Sequence, residues 1–172
     1  GVRDACARYG AHIVAIPRDN LLVLSDENGD AVYNADSEWE AVTPLRKHDG
    51  AKVAILALGA TAGIALDAAE QLGGTADIYV VNGLPLPDGF LDGIFAQYDG
   101  VVTAEDGIIG TRCIGIRGFA GLVLSAASNT GTKTEHIGIV DPRIAPSEGH
   151  AEVWEHFGIT SDAIIDAAKS LA

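Results

Sequence analysis

Basic residues are scarce in this chain. Its 172 residues include 11 Lys and Arg against 24 Asp and Glu, a formal net charge of −13. From Val53 to Thr111 there is no base at all among eight acids. A free nucleic-acid binder needs a basic stripe to displace counterions, so that class is excluded. Cysteine is nearly absent: Cys6 and Cys113 make no disulfide framework and suit a reducing cytosol. Aromatics are only 6% of the residues. No apolar run approaches the roughly 20 residues of a membrane-spanning helix. What is abundant is aliphatic: 48% of the residues are hydrophobic and 21 are glycine. That composition excludes a disordered chain. The length suits one ordinary domain, or one domain with a piece of another.

The pattern along the chain is that of an α/β protein. Residues 2–9 can form a short helix closed by Gly10. Ala11 to Ile16 reads as a strand halted by Pro17, and Arg18-Asp19-Asn20 follows where an open sheet presents its ligand-binding loops. Residues 25–50 are polar and turn-rich, a linker with a short hairpin through Ala31-Val32-Tyr33. Val53 to Leu58 is a continuous apolar run, as expected of a strand buried on both faces of a parallel sheet. Further strands are expected at 77–81, 100–104 and 136–140, alternating with helices at 64–72, 89–97, 116–127, 152–157 and 161–171. Thr160 or Ser161 is placed to cap the last helix. Strand and helix in alternation imply an open, mostly parallel α/β sheet with helices on both faces, a mixed edge being compatible with the pattern.

Few residues announce chemistry. Gly59-Ala60-Thr61-Ala62-Gly63 is a small strand-to-helix turn of the kind that can cradle a phosphate, but tight strand-to-helix packing alone explains its glycines and is the favoured reading, since no nucleotide fingerprint accompanies it. His136, His150 and His156 show no metal-ligand spacing, so surface or capping roles are the default. Cys113 reads as an ordinary buried thiol and Ser147 as a helix cap. Arg18 stands out: a guanidinium just past a strand can offer a fork to a phosphate, with a surface ion pair as the competing reading.

Several stretches together resemble the transketolase family. Residues 52–69, Lys52-Val53-Ala54-Ile55-Leu56-Ala57-Leu58-Gly59-Ala60-Thr61 onward, are similar to the strand, turn and helix that open its C-terminal domain. Val101-Val102-Thr103-Ala104-Glu105-Asp106-Gly107 resembles its Val-Thr-x-Glu-Glu-Gly stretch. His136-Ile137-Gly138-Ile139-Val140-Asp141 and Phe157-Gly158-Ile159-Thr160 resemble a later strand and the approach to the final helix. Upstream, Ile16-Pro17-Arg18-Asp19-Asn20-Leu21 resembles the end of the pyrimidine-binding domain, Ser-Arg-Gln-Asn-Leu in transketolases and Tyr-Pro-Arg-Gly in 1-deoxy-D-xylulose-5-phosphate synthases. Asp19 departs from both patterns, and the glycine-rich run from Ile108 to Gly121 is unusual.

The resemblance implies three segments: residues 1–24 ending a pyrimidine-binding domain, a linker at 25–50, and a C-terminal domain at 51–172. It implies that Arg18 contacts the phosphate of a sugar-phosphate substrate. It also implies a parent enzyme that uses thiamine diphosphate and Mg²⁺, held by other domains, with no catalytic, cofactor or metal residue on this chain. The chain is then expected to be inactive alone and to work in a cytoplasmic homodimer or with the remaining domains or subunits, without nucleic acid or membrane. The alternative is a non-catalytic assembly module of a 2-oxo acid dehydrogenase or ferredoxin oxidoreductase complex.

Overall fold

The computed structural model describes residues 2–17, 20–143 and 145–172. After a short helix α1 (Val2–Ala7), the chain runs without regular structure to strand β1 (Val42–Arg46). Then come β2 (Val53–Leu58), a 3₁₀ turn over Gly59–Thr61, α2 (Ala62–Leu72), β3 (Ala76–Val81), α3 (Phe90–Gln97) and β4 (Gly100–Ile108). A two-residue-stranded hairpin, β5 (Gly110–Thr111) and β6 (Gly115–Ile116), leads into α4 (Gly118–Ala127), β7 (Lys133–Ile139), α5 (His150–Phe157) and α6 (Ser161–Leu171). The main sheet has the order β1-β3-β2-β4-β7. Its last four strands are parallel and β1 pairs antiparallel with β3. The mostly parallel α/β sheet expected from the sequence is therefore present, with one mixed edge.

Position in the sheet explains each strand's composition. β2 lies at the centre between β3 and β4, and residues 53–57 are all fully buried, so every side chain must be apolar. β7 is an edge strand, and its Lys133, Glu135 and His136 find room because burial there is partial. One face of the sheet (Val53, Ile55, Ile78, Val102) packs under α2 and α6. The other (Leu56, Tyr79, Val101) packs under α3 and α4, with Phe119 and Val123 at its centre. α6 places Ile164, Ile165, Ala168 and Leu171 on its inward face, a spacing of one helical turn. The Thr160 hydroxyl accepts the Ala163 N–H at 3.2 Å and caps it, as expected.

Two local expectations need correction. Residues 42–46 lie in the stretch read as linker, yet form the outer strand β1. Pro44 hid it, because proline disfavours strands; at an edge it is tolerated, and the register slips between Pro44 and Arg46. Conversely, Ala11 to Ile16 is not in a sheet: no strand lies beside it among the described residues, and Ile13 and Ile16 are 98% and 77% exposed. The sequence has strand character there, but a strand forms only against a partner. The short hairpin expected through Ala31-Val32-Tyr33 is reduced to an isolated antiparallel bridge between Ser25 and Ala31, with the Val32 N–H donating to Leu24 C=O at 2.9 Å.

Candidate functional site

Open α/β sheets bind ligands in the crevice beyond the carboxyl ends of their strands, where the strand order reverses. Here that point lies between β2 and β4, since the chain leaves β2 toward β3 and returns across it to β4. The crevice is filled by protein. Thr61 is fully buried, and its hydroxyl lies 2.8 Å from the Ala104 carbonyl and 3.1 Å from that of Leu58. The hydroxyl thus ties the β2 turn to β4. Residues 20–24 cross above, close enough that a Cβ added at Gly63 would stand 3.5 Å from Leu22 Cβ. The glycines of this turn serve close packing, and the phosphate-cradle reading has no support in its geometry.

Two shallow cavities flank the crossing and share Tyr33. One of about 260 Å³ is lined by Leu21 to Leu24, Gly59 and Ala60, and is apolar. The other, about 290 Å³, has Trp39, Glu38, Glu40 and Asn82 on its walls. Asn82, at the carboxyl end of β3, donates to Tyr33 Oη at 2.7 Å and to the Glu40 carbonyl at 3.1 Å, fastening the irregular segment to the sheet. From the other side, Arg3 of α1 donates to the Ala35 carbonyl at 2.7 Å and Arg8 lies over the Trp39 ring. Arg18, the one site residue expected from the sequence, lies outside the described residues together with Asp19 and Ile144. In the chain it stands three positions before Leu21, the first residue of the apolar cavity.

A polar cluster at the opposite, amino end of the sheet escaped the sequence reading. Lys47 Nζ lies 2.6 Å from Asp77 Oδ2, 2.8 Å from Tyr79 Oη and 2.6 Å from Tyr98 Oη. Tyr98 also donates to Asp77, whose other oxygen accepts the His48 N–H at 2.7 Å. The Asp77 side chain has no exposure at all, whereas that of Lys47 is 45% exposed. Burial alone would push the Asp77 carboxyl up, but the bonds from Lys47 and Tyr98 outweigh it and hold it below the usual carboxylate value. Burial and the bond to Asp77 push the Tyr98 phenol up. All three hydrogens of the ammonium are engaged, so the cluster locks β1 to β3 and offers no free group for chemistry. The base-free stretch from 53 to 111 contains this buried Asp77, so its cation had to come from outside that stretch.

At the carboxyl end of β4, Glu105 is only 3% exposed and accepts the Ala120 N–H at 2.7 Å, capping α4 from a neighbouring strand. Its carboxylate leaves no space beside it: a Cβ on Gly107 or Gly118 would come within 2.7 Å of Oε2. The glycine-rich run from 108 to 121 therefore begins by making room for a buried acid. On the next strand, His136 Nδ1 lies 2.8 Å from the hydroxyl of buried Thr103. Its Nε2 is sealed from solvent without a hydrogen-bond partner. Burial, with a contribution from the charge of Arg112, depresses the imidazole below its ordinary value of 6.5.

The remaining expectations resolve simply. Cys113 is exposed rather than buried, because it falls in the two-stranded hairpin and not in the core; Cys6 is exposed as well. Ser147 is not the cap of α5, whose first-turn boundary is Gly149. His150 and His156 lie edge-on to Trp154 and Phe157. Among the described residues no three His, Cys, Asp or Glu side chains group to hold a metal ion. With the strand-end crevice filled by Thr61, these residues do not fit thiamine diphosphate with Mg²⁺. No helix among the described residues is long and apolar enough to cross a membrane.

No family model and no curated protein matches the sequence. Solved structures do. A structure described as a split-gene transketolase, inactive β4 tetramer, superposes with a TM-score of 0.67 at 25% identity, over 83% of this chain and 46% of that one. Transketolases from Leishmania mexicana and Campylobacter jejuni subsp. jejuni NCTC 11168 superpose with TM-scores of 0.53 and 0.51 at 17% and 15% identity, each over 76% of this chain and 18% of theirs. The chain carries a transketolase-like C-terminal domain, and it spans less than half the length of the split-gene relative it matches.

Proposed function

We propose that the chain is the C-terminal part of a transketolase-like, thiamine diphosphate-dependent enzyme acting on sugar phosphates. In this reading residues 51–172, joined by the edge strand 42–46, serve assembly and shape the active site from outside, the rest of residues 25–50 links, and residues 1–24 close a pyrimidine-binding domain whose remainder lies elsewhere in the enzyme. The observation that carries it is the pairing of a transketolase-like sheet with an exposed apolar segment, residues 11–16, beside which no strand lies among the described residues. Tyr9, Ile13, Ile16, Leu22 and Val23 are each at least 60% exposed, an arrangement that suits a surface covered in a larger cytoplasmic assembly. The partner is a second copy or the remaining domains or subunits.

The cofactor, bound by the other domains, supplies the carbanion chemistry. This chain contributes Arg18, which would hold the substrate phosphate through a planar, charge-assisted fork. The test is Arg18→Ala in the complete enzyme. Charge-assisted bonds worth about 1.5–3 kcal/mol predict a kcat/KM drop of roughly 10- to 150-fold on phosphorylated substrates, and little change on unphosphorylated analogues. Equal losses on both substrates would show that Arg18 does not read the phosphate.

A further inference from the structure

Among the described residues two buried side-chain polar atoms lack a hydrogen-bond partner, His48 Nδ1 and His136 Nε2, and the first has a carboxylate close by, Asp77 Oδ1 at 3.7 Å. Buried polar atoms nearly always find partners, and one that does not carries the cost of its lost hydration. In the neutral ring Nδ1–H can donate to the Thr103 hydroxyl at 2.8 Å, so that only the Nε2 lone pair is left unpaired. A protonated ring is a donor at both nitrogens. Nδ1–H could still donate to the Thr103 hydroxyl, but Nε2–H would face a sealed space with no acceptor. The closed structure therefore accommodates the neutral ring and has no place for the charged one.

The surroundings decide what gives way. On β4, Thr103 is fully buried in the sheet and Glu105, two positions further on, is engaged with Ala120. α4 has no ionisable side chain over its length and packs by Phe119, Ala120 and Val123. β7 itself carries Lys133 and Glu135, and α6 packs on the sheet's other face with Ile137. The hairpin β5–β6 contributes Arg112, whose like charge reaches the ring, and is followed by Arg117. It is the weakest of these elements. Its strands have two residues each and Ile114 is 66% exposed; it is anchored at its start by Ile109, which is 2% exposed, lies against Gly138 and bonds Ile139 C=O through its N–H at 2.9 Å.

We propose that protonation of His136 releases the hairpin 110–117 from the sheet, beyond the anchor at Ile109, opening the carboxyl end of β4 and exposing Glu105 and the start of α4 in mildly acidic solution. The hairpin runs directly into the first turn of α4, where Gly118 stands against the Glu105 carboxylate. Once it moves, the Ala120 N–H loses its protected partner. The protonated imidazole, its proton drawn from the acidic solution, leaves the sealed space and is hydrated. The device is a local acid-sensitive latch and is separate from the role proposed for Arg18.

Amide hydrogen exchange on the intact chain between pH 7.5 and 5.5 tests it, with rates corrected for intrinsic pH dependence. The opening constant of residues 110–120, Ala120 included, should rise as the pH falls below about 6.5, by at most about tenfold per pH unit for one proton. Residues 53–58 should show no such rise. His136→Gln, neutral throughout, should remove the pH dependence whatever it does to the baseline. Arg112→Gln, at an exposed position, keeps the imidazole but lets the closed form take a proton more readily, so the acid-induced rise should shrink. If His136→Gln fails to fold, the Arg112→Gln comparison decides. An opening constant independent of pH in the unaltered chain, the same pH dependence in His136→Gln, or an undiminished rise in Arg112→Gln would overturn the proposal.

Discussion

Two apolar stretches of this chain have nearly the same sequence character and opposite fates. Val53 to Leu58 sits between two parallel strands, with residues 53–57 fully buried. His12 to Ile16 is as rich in β-branched residues, yet it is exposed and irregular, with no strand beside it among the described residues. Hydrophobicity and β-propensity are alike in the two. What differs is the neighbour: β2 has flanking strands and helices on both faces within the chain, and the upstream segment has neither. β-propensity measures the fit to a pleated, half-buried surface, and it expresses itself only where that surface exists.

Substitutions can sharpen that contrast, and the largest effect belongs in the core. Phe119→Ala removes a ring that is 2% exposed and should cost about 3–5 kcal/mol in chemical denaturation. Ile13→Ala removes a side chain that is 98% exposed and should change the stability of the chain by no more than about 0.5 kcal/mol. Comparable losses would mean that the upstream segment is packed in solution.

Next comes the clasp at the amino end of the sheet. Lys47→Ala leaves Asp77 buried without its cation. Losing one partner of a fully buried pair costs about 3–5 kcal/mol; because the Lys47 side chain is 45% exposed, about 2–3 kcal/mol is expected here. Asp77 is held below its usual value, so its contribution is present at neutral pH and is lost as the pH falls through that depressed value. The destabilisation by Lys47→Ala should therefore shrink in strongly acidic solution, which urea titrations at two pH values would reveal. A smaller effect belongs to Glu105→Ala, which uncaps α4 and should cost about 1–2 kcal/mol, read as a lowered urea midpoint.

The contrast also explains what could be read from the sequence. The four parallel strands and the helices that follow them were legible because burial forces apolar runs and the helices keep their periodicity, whereas the two-residue strands of the β5–β6 hairpin are too short to leave such a signal. β1 was not, because an edge strand with Pro44 and a register slip shows no such run. The Lys47–Asp77–Tyr79–Tyr98 cluster was also hidden: its bonded pairs are 19 to 51 positions apart, and only a lone Asp77 opening an apolar strand hinted at a buried charge. The glycines near Glu105 looked unusual because their reason, a buried carboxylate, is tertiary. Of the candidate site, the position of the strand-end turn was legible, whereas its filling by Thr61 depended on a carbonyl 43 positions away.

The most direct measurement is amide exchange of residues 11–16 and 53–58, first in the chain alone and then after mixing with the remaining domains of the complete enzyme. Alone, residues 53–58 should exchange only by global unfolding, and residues 11–16 near the rate of an unstructured peptide. On assembly, residues 11–16 should become protected while 53–58 change little. Residues 11–16 already protected in the isolated chain, or still unprotected in an active assembled enzyme, would contradict the reading of this segment as one that folds against the rest of a transketolase-like enzyme.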